Sequence, residues 1–151
     1  MENQTTTIKI PKGKEIDQVD FRTGKVTFKK KPENIIAKIE TVADVLEANG
    51  LTQKKFDLQC AGLTEDEINY RILKMLAKTL NEGWEPNWND ENEDKYFPWF
   101  YMGGSSGFRF DVCGSWSTAS GVGSRLCFKS RELTEYAANQ FTDVYKKFMT
   151  I

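Results

Sequence analysis

The sequence predicts an α+β fold: an antiparallel sheet, made of an N-terminal hairpin plus C-terminal strands, packed against about three helices. Three observations carry that prediction. Apolar and polar residues alternate around Ile8–Ile10 and again around Val26–Phe28, as in half-buried strands. Ile68, Ile72, Leu76 and Leu80 recur at helical spacing behind a Thr64/Glu67 capping box,. Five aromatics crowd the seven residues from Tyr96 to Met102, a composition that suits a strand. The 151 residues are read as a single domain, 1–151, long enough to bury about 70% of the surface an unfolded chain exposes.

The elements follow in order. Pro11 and Gly13 interrupt the first alternation and Gly24 precedes the second. The long link between them carries Ile16, Val19 and Phe21, expected to reach the core. Eight Lys and Arg against four acids lie within residues 1–31. They read as guards of an edge strand, with a phosphate-facing patch as the alternative. After Pro32 a helical stretch runs to about Ala48, and Thr41-Val42-Ala43-Asp44 would cap a shorter helix stopped by Asn49-Gly50,. Residues 51–63 are less regular, with Phe56 and Leu58 expected in the core. The Thr64 helix ends at Gly83, and Trp84 folds back on its last turn,. Phe108–Val112 and Leu126–Phe128 read as strands, joined by a Gly/Ser loop that carries Trp116. Ser130 caps a final helix with the stripe Leu133, Ala137, Phe141, Val144 and Phe148,.

Composition narrows the chemistry. With a net charge of −1 there is no global field to draw the chain onto DNA or an anionic membrane. No apolar run approaches the length of a membrane span, and the N-terminus has neither the basic start nor the apolar core of a signal peptide,. Cys60, Cys113 and Cys127 form no CxxC pair and are expected as reduced thiols in a cytosol. Cys113 and Cys127 would face each other only on adjacent strands. There is no histidine, so a serine or cysteine nucleophile lacks its usual base and zinc its commonest nitrogen ligand. No catalytic residue, metal ligand or cofactor is assigned.

Two segments invite a functional reading. Six acids between Glu82 and Asp94 are interleaved with Trp84, Pro86 and Trp88, with no basic residue before Lys95. This reads as a solvated acidic loop pinned by tryptophans. It lacks the calcium-loop pattern, and neighbouring carboxylates do not make the opposed pair of a glycosidase. The second segment is richer. As a strand, Tyr96–Met102 puts Phe97, Trp99 and Tyr101 on one face and Tyr96, Phe100 and Met102 on the other, with Pro98 favouring an edge,. Six of the eleven glycines lie between residues 103 and 123, where bare backbone can approach a ligand. The candidate ligand-binding residues are Tyr96, Trp99, Tyr101, Arg109, Trp116, Ser124 and Arg125. Gly121-Val122-Gly123-Ser124-Arg125 is only superficially a phosphate loop,.

Leu80–Trp88, Lys95–Phe100 and Gly123–Leu133, together with Ile8–Pro11 and Thr41–Asp44, resemble a family of small uncharacterised proteins of bacteriophages and prophages of gut Bacteroidetes. The resemblance spans nearly the whole chain and implies a phage-encoded protein in the bacterial host cytoplasm or in a virion. It carries no site residues. The leading expectation is a non-enzymatic accessory protein that binds a host or phage protein, a nucleotide or a nucleic acid, as a counter-defence factor would. The alternatives are a homo-oligomeric virion or assembly protein, and a carboxylate-based hydrolase of cell-wall sugars using Asp90, Glu91 or Asp111.

Overall fold

The computed structural model describes residues 7–12, 14–30 and 34–150. Residues 1–6, Gly13 as a strand break and Pro32 as a helix boundary lie outside that set. The α+β class holds, with five α-helices and two separate two-stranded antiparallel sheets among the described residues in place of one sheet and three helices. The chain divides into two compact units, Met1–Asn34 and Ile35–Ile151.

The first unit is a hairpin of β1 (Lys14–Asp20) and β2 (Lys25–Lys30). Its first strand falls on the segment read above as a link, while Ile8 and Ile10 lie outside any strand. Asp20 explains the shift. Its carboxylate accepts from the Arg22 and Thr23 amides at 2.9 and 3.2 Å and from the Thr23 hydroxyl at 2.7 Å. Gly24 closes the turn at φ +70°, a conformation glycine adopts without strain. Ile16 pairs with Phe28 and Val19 with Val26, and the register shift between Ile16 and Gln18 puts both apolar pairs on one face,. Contrary to expectation none of Ile16, Val19 and Phe21 reaches a core: Ile16 and Val19 stay exposed on the hairpin face and Phe21 stands exposed in the turn.

The second unit is built around α3 (Glu65–Leu80). Its capping box forms as the sequence predicts. The stripe Ile72, Leu73, Leu76 and Leu80 is buried, and α3 packs on α1 (Val42–Ala48) and α5 (Thr142–Met149). A 3-10 turn at Ile35–Lys38 and α1 replace one long helix after Pro32, because Thr41 and Asp44 cap each other reciprocally. Helix α2 (Gln53–Gln59) starts at Thr52, whose hydroxyl accepts from the Lys55 amide. It buries Phe56, but Leu58 is 70% exposed, contrary to expectation. The two positions lie two residues apart and so face opposite sides of a helix.

The last helical segment is also two helices, α4 (Arg131–Gln140) and α5, broken at Phe141. The Thr142 hydroxyl donates to the carbonyls of Ala138 and Asn139 at 2.6 and 3.0 Å. Such back-bonding competes with the helical ladder. The apolar stripe survives the break, with Leu133, Ala137, Phe141 and Val144 all buried. Ser130 caps α4 as expected.

The second sheet joins β3 (Lys95–Tyr101) to β4 (Arg109–Trp116). Its inner face meets the helices through Phe100, whose ring centroid lies 4.8 Å from that of Tyr145 and 4.9 Å from that of Phe108. Leu126–Phe128 is not a strand. Only Phe128 pairs, exchanging two backbone hydrogen bonds with Tyr96 at 2.8 and 3.0 Å. Along one strand edge the next position is Pro98, which has no N–H to continue the ladder. Asn81, buried at the end of α3, holds this segment. It donates to the Cys127 carbonyl and accepts from the Lys129 amide, both at 2.9 Å. No helix of the described residues is long and apolar enough to cross a membrane.

The core assignment separates two leucines that sequence alone treats alike. Leu76→Ala, at a fully buried position, should cost about 2–5 kcal/mol in urea unfolding. Leu58→Ala should stay within about 0.5 kcal/mol. Equal losses at the two sites would contradict the packing described.

Candidate functional site

Directly opposed residues of an antiparallel pair share a face. Lys95 lies opposite Trp116, Phe97 opposite Gly114, Trp99 opposite Val112 and Tyr101 opposite Arg109. A register shift between Trp99 and Phe100 leaves Asp111 as the extra residue on β4 and keeps Tyr101 on the side of Trp99,. The result is an outward apolar face on which Trp99 is 58%, Trp116 59% and Val112 49% exposed. Phe97 and Trp99 tilt together with centroids 6.3 Å apart. They lie over Gly114, where an added Cβ would come within 2.7 Å of Trp99 Nε1 and 2.9 Å of Phe97 Cε2. The bare backbone of Gly114 is thus the floor on which the rings rest. At the far end Arg109 stacks over Tyr101, 4.0 Å from the ring centroid, and its Nε donates to Ser106 Oγ at 3.2 Å.

The near end of this face is closed by the acidic loop, which has an internal cation. Lys95 is 1% exposed. Its ammonium donates to the carbonyls of Asn87 at 2.5 Å, Glu93 at 2.6 Å and Asp90 at 3.4 Å, and pairs with the Glu93 carboxylate at 3.1 Å. The Trp88 ring lies 5.4 Å from the same nitrogen. Glu93 also accepts from the Asn87 amide at 2.8 Å, and Trp84 lies close enough to lower its carboxyl slightly. The Asn87 amide contact, then the lysine, hold its carboxyl below the usual carboxylate range,. The loop therefore wraps backbone carbonyls around a side-chain ammonium as other loops wrap them around a metal ion. Among the described residues no group of three or more metal-ligating side chains converges.

The candidate residues divide between two places. Trp99, Tyr101, Arg109 and Trp116 meet on the outer face of the second sheet. Tyr96 has the opposite parity and is spent on the bridge to Phe128. Ser124 and Arg125 line a cleft of about 860 Å³ beside α3, with Ser124 Oγ accepting from Trp88 Nε1 at 2.7 Å. Within the Gly/Ser loop the Val122 and Gly123 amides are already taken, since both donate to Ser120 Oγ, at 3.0 and 2.8 Å. Phe97, Val112 and Gly114 belong with the aromatic face although the sequence did not single them out as ligand contacts. Strict alternation from Lys95 and Trp116 inward is the signal that places them.

The acids named for hydrolysis are otherwise engaged or scattered. Asp90 Oδ1 accepts from the Asn92 amide at 2.8 Å, and Asp111 sits at the β4 bulge. The three cysteines are free and buried. Cys113 on β4 and Cys127 beside the Phe128 bridge have β3 between them, so they do not face each other across adjacent strands. Burial raises the Cys113 thiol and pushes Cys127 up to about 11,. In comparisons with protein-family models, curated proteins and solved structures, nothing matches this chain.

Two outcomes follow from this chemistry. Lys95→Met strands three carbonyls and a carboxylate, and should lower stability by about 3 kcal/mol, a fall in Tm of roughly 10 °C. Differential scanning calorimetry reads this, and an unchanged Tm would mean that the ammonium does not organise the loop. For the thiols, a folded pKa above the ordinary 9.0 keeps Cys127 neutral while the unfolded chain ionises. Its contribution is complete below pH 9.0 and is lost as pH rises toward about 11,. A thiol-disulfide colour reagent should find Cys127 silent at pH 8 in the folded protein and all three thiols reactive in denaturant; rapid native labelling of Cys127 would refute this.

Proposed function

We propose that the chain is a non-enzymatic accessory protein that docks a partner protein on the outer face of its second sheet, with Trp99 and Trp116 as anchors. The observation that carries this reading is the exposure of two tryptophans, Tyr101 and Val112 on one strand pair, with Arg109 stacked at the rim. Contiguous apolar surface of this kind is a cost to a lone soluble chain and marks interaction sites. Trp, Tyr and Arg are also the residues that dominate binding energy at protein interfaces. A nucleic-acid strand fits this face less well. Stacking platforms for single strands are set in positive grooves, whereas Asp90, Glu91 and Asp94 are carried by the loop that closes one end. The phage setting, with a host factor as the partner, rests on the sequence resemblance.

The test is retention of proteins from a gut Bacteroidetes host lysate on the immobilised chain, followed by affinity measurement on the retained species. Trp99→Ala and Trp116→Ala should each weaken binding by about 2 kcal/mol, roughly 30-fold. Gly114→Val, which displaces the rings without removing them, should do the same. Leu58→Ala, on an exposed apolar residue of α2, should leave binding intact. Identical retention by all variants would defeat the reading. The same face also favours a second reading, self-assembly in a virion. A dimer in light scattering that Trp99→Ala dissolves would replace the host-factor proposal with that one.

A further inference from the structure

The cleft beside α3 is chemically unlike the aromatic face, and its cations make no ion pair among the described residues. Arg71, Lys74 and Lys78 project from α3 at spacings of three and four, and Arg125 joins them from the Gly/Ser loop. Among the lining residues Glu85 is the one carboxylate. Elsewhere in this unit Lys95, Lys129, Arg131 and Lys147 are matched with acids, while Lys54, Lys55, Arg109 and Lys146, which are not, lie outside this cleft. Among the described residues none of the four cleft cations makes an ion pair. Lys74 lies over the Tyr70 ring at 4.7 Å, which positions its charge without cancelling it. Like charges three and four residues apart weaken a helix, so this row costs stability in the absence of an anion. Arg71 to Lys78 spans about 10 Å along the helix, more than a single phosphate needs.

The rest of the cleft suits a ring. Trp84, half-buried, forms one wall, next to Glu93 of the Lys95 loop. Ser124 Oγ accepts from Trp88 Nε1, leaving its own proton free to be donated. The cleft's volume, about 860 Å³, lies within the roughly 300–1,000 Å³ of small-molecule sites. We infer that this cleft binds a nucleoside polyphosphate, with the phosphates on Arg71, Lys74, Lys78 and Arg125 and the base against Trp84. The inference does not depend on the docking face, and neither reading falls with the other.

Isothermal titration calorimetry on the full chain at low ionic strength tests it, with ATP, GTP, inorganic tripolyphosphate, adenosine and a single-stranded oligonucleotide as probes. One or both nucleotides should bind. Tripolyphosphate should bind about 10-fold more weakly for want of the stacked base, and adenosine not measurably. The exposed charge reversals Lys78→Glu and Arg125→Glu, combined, should abolish nucleotide binding, whereas Lys54→Glu on α2 should leave it unchanged. Trp84→Ala should erase the advantage of nucleotide over tripolyphosphate within the same variant, a ratio that is insensitive to modest loss of stability. The inference is overturned by the absence of nucleotide binding, by equal binding of adenosine, or by indifference to the double reversal. It is equally overturned if the oligonucleotide binds more tightly than any nucleotide and with the same sensitivity, which would make the cleft a nucleic-acid track.

Discussion

The buried ammonium of Lys95 is the constraint on which the rest of the candidate surface depends. A charge taken out of water must be matched by several hydrogen-bond acceptors, and here the acceptors are carbonyls from three positions of one loop together with the Glu93 carboxylate. Satisfying the lysine fixes the course of residues 87–93. That course sets Trp88 against Ser124 and brings Trp84 to Glu93. Because Lys95 is also the first residue of β3, the same interaction fixes where the aromatic strand begins. Two surfaces of different chemistry therefore share one internal anchor.

Those surfaces answer to different physics. The outer sheet face is apolar, so what it contributes to association scales with the area it removes from water and depends little on salt. The cleft beside α3 is a concentration of unmatched positive charge, whose attraction for an anion is screened as ionic strength rises. Salt is thus a means of reading one surface apart from the other in the intact molecule.

Much of the fold is legible in the sequence where local chemistry and tertiary packing agree. The capping boxes at Thr41 and Thr64 and the Ser130 cap mark true helix starts, because a side-chain oxygen answering an orphan amide is a purely local event. The α3 stripe is equally plain. What fails to show is decided by competition. Thr142 breaks a helix that its apolar period would continue, and Leu58 is sent outward by the phase of a short helix. The first hairpin is set by an Asp20–Gly24 turn whose hydrogen bonds outweigh the alternation at Ile8–Ile10. Of the site, alternation reveals which rings share a face. It cannot reveal that the lone lysine after six acids is drawn inside their loop, or that Arg125 lies beside three cations more than forty residues away.

Pro98 has one more consequence. A segment as ring-rich as β3 is the kind that seeds stacked, open-ended fibrils when both of its sides can recruit further strands. Here the far side is used once at Tyr96 and then interrupted by a residue with nothing to donate,, while on β4 the Arg131 guanidinium takes the outward Cys113 carbonyl at 3.2 Å. Each edge is thus interrupted at one position, which opposes growth by templating while the rings remain in water,.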